Sequence, residues 1–161
     1  MVNIRKSFKV GVSFGMVSGV LTTLGLLIGL GVSTQSKAAV IGGVLTIAIA
    51  DALSDAFGVH LSQEASGDSS TRHVWEATVS TFLSKFIFAL TFLIPVYFFN
   101  IKYAIIVSSL WGFFLIGFLS ILISKGMGKK EKLEVVLEHF VLFLLITFSS
   151  YFIGILIDRL F

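Results

Sequence analysis

Hydrophobic residues in this chain come in long runs separated by short polar breaks, without the periodicity of a helix or strand half-exposed to water. Five runs stand out, at residues 10–32, 39–60, 77–98, 103–123 and 135–157. A helix rises about 1.5 Å per residue, so about 20 residues cross the roughly 30 Å of hydrocarbon in a bilayer. Each run is long enough to span. The breaks read STQSK, SQEASGDSSTRH, NIK and KGMGKKEKLE, and no internal repeat stands out. The pattern predicts an all-α, polytopic membrane protein, a single domain over residues 1–161 with five transmembrane helices.

Composition agrees. Of 161 residues, 56% are hydrophobic and 13% charged, with a mean hydropathy of +1.00, which leaves too little polar surface to cover a soluble domain. The 17 phenylalanines suit surfaces that face lipid or pack between helices. There is no cysteine, which excludes disulfides and thiolate metal sites. The first run follows Arg5, Lys6 and Lys9, as a signal peptide would. It is longer than a signal h-region and no cleavage pattern follows, so it reads as a retained helix.

Five spans place the two ends of the chain on opposite sides. With the N-terminus in the cytoplasm, that side holds Arg5, Lys6, Lys9, Arg72, Lys125, Lys129, Lys130 and Lys132, against Lys37, Lys102 and Arg159 outside. This is the asymmetry the positive-inside rule asks for. The net charge of +3 therefore has a topological cause and does not point to nucleic acid. The expected partner is the lipid bilayer, and the expected location is the cell membrane, as a multi-pass protein.

The second run carries its own anomaly. Asp51 and Asp55 lie four residues apart, about 40° around a helix axis, so they share a face. Each costs roughly 2.5–3.5 kcal/mol at mid-bilayer on insertion scales, so neither is expected to face lipid. Lys85 lies nine residues into the third run and Asp51 nine residues back from His60, which predicts equal depth on neighbouring antiparallel helices. A structural Asp51–Lys85 ion pair is the first expectation. That leaves Asp55, which with Asp51 and His60 makes a candidate site for a metal ion or a proton.

Other polar residues cluster where a cytoplasmic mouth would be: Glu64, Asp68, His73 and Glu76, then Glu131, Glu134, Glu138 and His139. Of these, Glu64, Glu76, Glu138 and His139 are the candidates for attracting cations. Carboxylates and imidazoles suit Mn²⁺, Fe²⁺ or Zn²⁺, and methionine is the only soft ligand present. The bland reading of the same residues is a solvated helix end, with Glu131 to Glu138 favouring a positive helix N-terminus. No catalytic signature is visible, neither a nucleophile with its base nor an H-E-x-x-H zinc motif, so an enzyme is not expected.

Gly11, Gly15 and Gly19 stripe one face of the first run and predict a close helix–helix contact, within a subunit or between two. Pro95 predicts a bend near the outer end of the third span.

These features in this order resemble the vacuolar iron transporter family. The family's glycine-rich first helix is matched by GVSFGM at residues 11–16 followed by SGVLTTLGLLIGL. Its small-residue second helix is matched by ADALSDAFGVHLS at residues 50–62, and its closing Y-x-x-G by Tyr151 to Gly154. The resemblance implies a homodimer whose first helices line a central pathway, with the glycine stripe in close contact along it. It also implies proton-coupled export of Fe²⁺ or Mn²⁺ from the cytosol, the ion being cargo and no cofactor being required. The chain departs from the family where metal is held. Phe14 stands where the family has an aspartate, Asp55 replaces a methionine, and Ile47 lies near the position of a glutamate. The glutamate-rich cytoplasmic helices between the second and third spans are missing. Two functions follow: a divalent-metal transporter with its ligands rebuilt on Asp51 and Asp55, or a non-transporting scaffold or partner subunit held by the buried ion pair.

Overall fold

The computed structural model describes residues 4–67 and 70–161, and within them the chain is helical without strands. Five helical spans are long and apolar enough to cross a membrane: Lys6–Thr34, Lys37–Ala65, Thr71–Phe98, Ile101–Ile123 and Lys129–Leu160. Each contains one of the five hydrophobic runs. Most reach beyond it into polar sequence, because backbone hydrogen bonding continues past the hydrocarbon layer until a turn or cap stops it. The chain is a five-helix, multi-pass membrane protein.

Helix α1 (Ile4–Thr34) is the axis of the bundle. It packs against α2 (Lys37–Thr46), α4 (Thr71–Thr91), α6 (Ile101–Ile123) and α7 (Lys129–Leu160). Val20, Leu24, Leu27 and Ile28 of α1 are sealed into a core with Val40, Val44, Phe92, Val96, Leu115 and Phe143. Gly11, Gly15 and Gly19 face α4. A Cβ on Gly19 would lie 2.9 Å from the Lys85 carbonyl oxygen, and one on Gly11 or Gly15 would strike the carbonyls of Ala77 or Thr81. The rising pairings Gly11–Ala77, Gly15–Thr81 and Gly19–Lys85 make α1 and α4 parallel, with their backbones in contact. At the far end a Cβ on Gly154 of α7 would lie 2.9 Å from the Gly29 carbonyl oxygen of α1.

The glycine stripe is therefore consumed within one chain. Gly11, Gly15 and Gly19 make the close helix–helix contact expected of them, here with α4 of the same chain.

The ends of the helices follow from local chemistry. Gln35 takes a left-handed φ of 50° between α1 and α2, and its side-chain amide donates to the Gly31 and Val32 carbonyls. Ser36 then caps α2 by accepting from the Ala39 amide at 3.2 Å, and Asn100 caps α6 by accepting from Tyr103. Pro95 breaks the third span as expected: α4 stops at Thr91 and a short α5 (Leu93–Phe98) continues past it. A proline ring cannot clear the carbonyl four residues earlier, and that carbonyl belongs to Thr91.

The second span is interrupted as well. Between α2 and α3 (Ala52–Ala65), residues Ile47–Asp51 form one π-helical turn. Buried positions fall at every fourth residue through this span: Val40, Val44, Ala48, Ala52 and Ala56. In a straight α-helix such a row drifts about 40° per step and would leave the contact surface. The wider π turn takes up extra residues and keeps the row against α1 and α4.

Candidate functional site

Lys85 of α4 is completely buried, and its ammonium meets three oxygens. It donates hydrogen bonds to Asp55 Oδ2 at 2.6 Å and to Ser18 Oγ at 3.0 Å. Asp51 Oδ2 lies 2.5 Å away as an ion-pair contact that lacks hydrogen-bond alignment. The Ser18 hydroxyl in turn donates to Asp55 Oδ2 at 2.5 Å. Three helices thus converge on one nitrogen: α1 supplies Ser18, the second span both aspartates, and α4 the lysine.

The local sequence explains the convergence. Gly19 lets α1 approach the Lys85 backbone closely, which carries its neighbour Ser18 to the lysine's side-chain end. The row of small residues Ala48, Ala52 and Ala56 lets the second span lie close, so the two aspartates reach across. Asp51 closes the π turn, a type of helix defect found often at functional sites.

The cluster is deeper than expected from His60 as the helix end. The second span runs on to Ala65, which makes Asp51 the middle residue of Lys37–Ala65, and Lys85 stands at the middle of Thr71–Phe98. The ionic cluster lies at the centre of the bundle's length.

Asp51 and Lys85 are thus together, and Asp55 is with them rather than left over. This corrects the division of one acid for the ion pair and one for an ion path. The reason is geometric: with Asp51 and Asp55 on one face, a single long lysine side chain reaches both. Neither acid is sealed. The Asp51 side chain keeps 38% of its surface and that of Asp55 22%, against none for Lys85. A groove of about 360 Å³ between α1 and α3 is lined by Val10, Phe14, Ser54, Asp55, Gly58 and Ser62. It runs from Asp55 toward the end of the bundle that carries the start of α1, where most basic residues gather.

His60 does not join the aspartates. Its Nδ1 lies 3.0 Å from Thr78 Oγ1, its Nε2 3.3 Å from Glu64, and its ring packs edge-on against Trp75. Five residues past Asp55, its side chain points about 140° around the helix. Glu64 is therefore tied to His60, while Glu76 on α4 has a buried, unpartnered carboxylate oxygen. Glu138 and His139 stand on α7, which packs on α1 and α6, whereas α3 packs on α4. His139 Nδ1 is 2.7 Å from Ser120 Oγ, which is also 2.6 Å from the Ile116 carbonyl oxygen. Hence Glu64, Glu76, Glu138 and His139 do not form one mouth: α1 separates the two pairs. Asp68 lies outside the described residues. Among the described residues, no three His, Asp or Glu side chains come together as a ready-made metal site.

Two features escaped the sequence reading. Ser18 had a faint signal, since it precedes a glycine of the stripe at the depth of the acids. The π turn had none beyond the four-residue spacing of small positions.

No family model, curated protein or solved structure matches this chain.

Proposed function

We propose that this chain is a secondary transporter for a cation, with the carboxylates of Asp51 and Asp55 as its binding groups and Lys85 as the charge that occupies them between transport events. The observation that carries the reading is an excess of carboxylate in the middle of a membrane span, reached by a groove. Two carboxylates against one ammonium leave one formal negative charge at the depth where charge is most costly. Transporter ion sites are commonly built at the midplane on interrupted helices, and the second span is interrupted at Asp51.

The cargo we assign is Fe²⁺ or Mn²⁺, exchanged for protons, which hard oxygen ligands suit and the family resemblance implies. The excess of carboxylate over ammonium in the cluster favours binding of a further cation there. Asp55, open to the groove, receives the ion, and Ser18 orients its Oδ2. The basic end of the bundle faces the cytoplasm of a cell membrane, so the groove admits cytosolic ions. A homodimer, if it follows the family, uses faces of α1 other than the glycine stripe.

A second reading rests on its own observation: all three oxygens around Lys85 are in contact with it, as in a purely structural network. On that reading the protein is a scaffold or partner subunit. Binding and flux separate the two. Purified protein is titrated with Mn²⁺, Fe²⁺, Zn²⁺ and Mg²⁺, and reconstituted vesicles report metal entry and pH together. Saturable Mn²⁺ or Fe²⁺ binding with opposite proton flow, both lost in a folded Asp55→Asn variant, supports transport. Flux that survives Asp55→Asn, or no binding of any ion by folded wild type, sinks it and leaves the scaffold.

A further inference from the structure

Outside the ionic cluster, a groove of about 950 Å³ opens near the basic end of α1 and α6. Its walls are apolar and include Met16, Phe118 and Leu122, with Phe88 of α4 also lining it. Two of its lining residues are charged: Lys9 of α1 and Lys125, just past the end of α6. Both are exposed. Neither has a carboxylate partner among the described residues, and neither α1 nor α6 contains an acidic residue. From Lys9 to Met16, and from Lys125 to Phe118, the groove deepens by about 10 Å along the helix axes.

We propose that this groove is a binding site for an anionic phospholipid, the phosphate held between Lys9 and Lys125 and an acyl chain laid over Met16 and Phe118. The assignment follows from the arrangement. A cavity that is apolar along its depth and doubly cationic at its rim matches an amphiphile with a negative head, and the rim sits where a helix crosses from hydrocarbon to headgroups. Basic pockets between membrane helices take anionic headgroups for this reason. A soluble anion has no use for the apolar depth, and a zwitterionic lipid brings an ammonium group toward the two lysines. Lys129, Lys130 and Lys132 stand near on α7 but do not line the groove.

The test is a titration of the purified protein with phosphatidylglycerol and with phosphatidylcholine, followed by native mass spectrometry. Wild type, Lys9→Gln/Lys125→Gln and Lys129→Gln/Lys130→Gln are compared. Each groove lysine contributes about fivefold to binding an anionic headgroup, so the groove variant should bind phosphatidylglycerol about 30-fold more weakly. Phosphatidylcholine affinity should barely change, and the α7 variant should resemble wild type. Equal loss in the two variants would show general surface attraction and overturn the site. So would undiminished phosphatidylglycerol binding by the groove variant, or equal affinity of wild type for both lipids.

Discussion

Lys85→Met removes the one positive charge between two partly exposed carboxylates while keeping most of the side chain's volume. The two Oδ2 atoms each lie within 2.6 Å of Lys85 Nζ, so they stand no more than about 5 Å apart, where two unit charges repel by about 3 kcal/mol at an effective dielectric of 20. Breaking a buried pair by deleting one partner costs about 3–5 kcal/mol, in line with that figure. Total stabilities are about 5–15 kcal/mol, so the variant should lose a large part of its margin. For a chain of this size that corresponds to a fall in Tm of about 10 °C, read by thermal unfolding in detergent. The partners should rank below it. Asp55→Asn loses charge in a group with two hydrogen-bond donors, Lys85 and Ser18, whereas Asp51 is more exposed and has no aligned hydrogen bond. The expected order of destabilisation is Lys85→Met, then Asp55→Asn, then Asp51→Asn. Adding Asp55→Asn to Lys85→Met should restore part of the loss, because the stranded acids are then one and not two. A Lys85→Met protein as stable as wild type, or a double variant worse than the two single effects added, would refute the cluster.

The helix contacts give a test of sign. Gly15→Ala drives a methyl into the α4 backbone and should cost about 1–3 kcal/mol, while Gly42→Ala, with nothing within 4 Å, should be neutral or stabilise by about 0.5–1 kcal/mol. Thermal unfolding of both variants decides it, and equal effects would contradict the close α1–α4 contact. Phe14→Asp adds a third carboxylate to the groove that Asp55 lines, and should tighten Mn²⁺ binding by about tenfold, the effect of roughly 1.4 kcal/mol. Titration of that variant beside wild type checks it, and an unchanged affinity argues against the groove as the route to Asp55.

The spans were legible because the bilayer makes hydrocarbon length and unbroken apolarity a direct constraint on sequence. Pro95 was legible because its missing amide and rigid ring act on a fixed neighbour. The pairing of Asp51 with Lys85 was legible because burial cost demands a partner and equal spacing from the connecting loop sets equal depth. The fate of Asp55 was not, since one lysine can serve two acids and only the distance between helices decides whether it does. That distance is set by small residues, Gly19 on α1 and Ala48, Ala52 and Ala56 opposite, whose effect depends on which helix they meet. The grouping of Glu64, Glu76, Glu138 and His139 failed for the same reason. Nearness to one membrane face does not say which side of α1 a residue occupies.

The cluster also bears on why the chain tolerates two acids in the membrane at all. A structural ion pair needs one carboxylate for one ammonium, and Asp51 alone could have served Lys85. The second carboxylate adds desolvation cost and repulsion without completing any unmet need of the lysine that a serine could not fill, as Ser18 already shows at 3.0 Å. The lysine's own pairing therefore does not require a second acid, although in the present packing Asp55→Asn still weakens the bonds from Lys85 and Ser18. Keeping Asp55 there, on the wall of a groove and facing the only buried ammonium among the described residues, is costly unless its charge is used. The proposed cation site would give it that use: the extra carboxylate would let the pocket take one more positive charge than the lysine supplies.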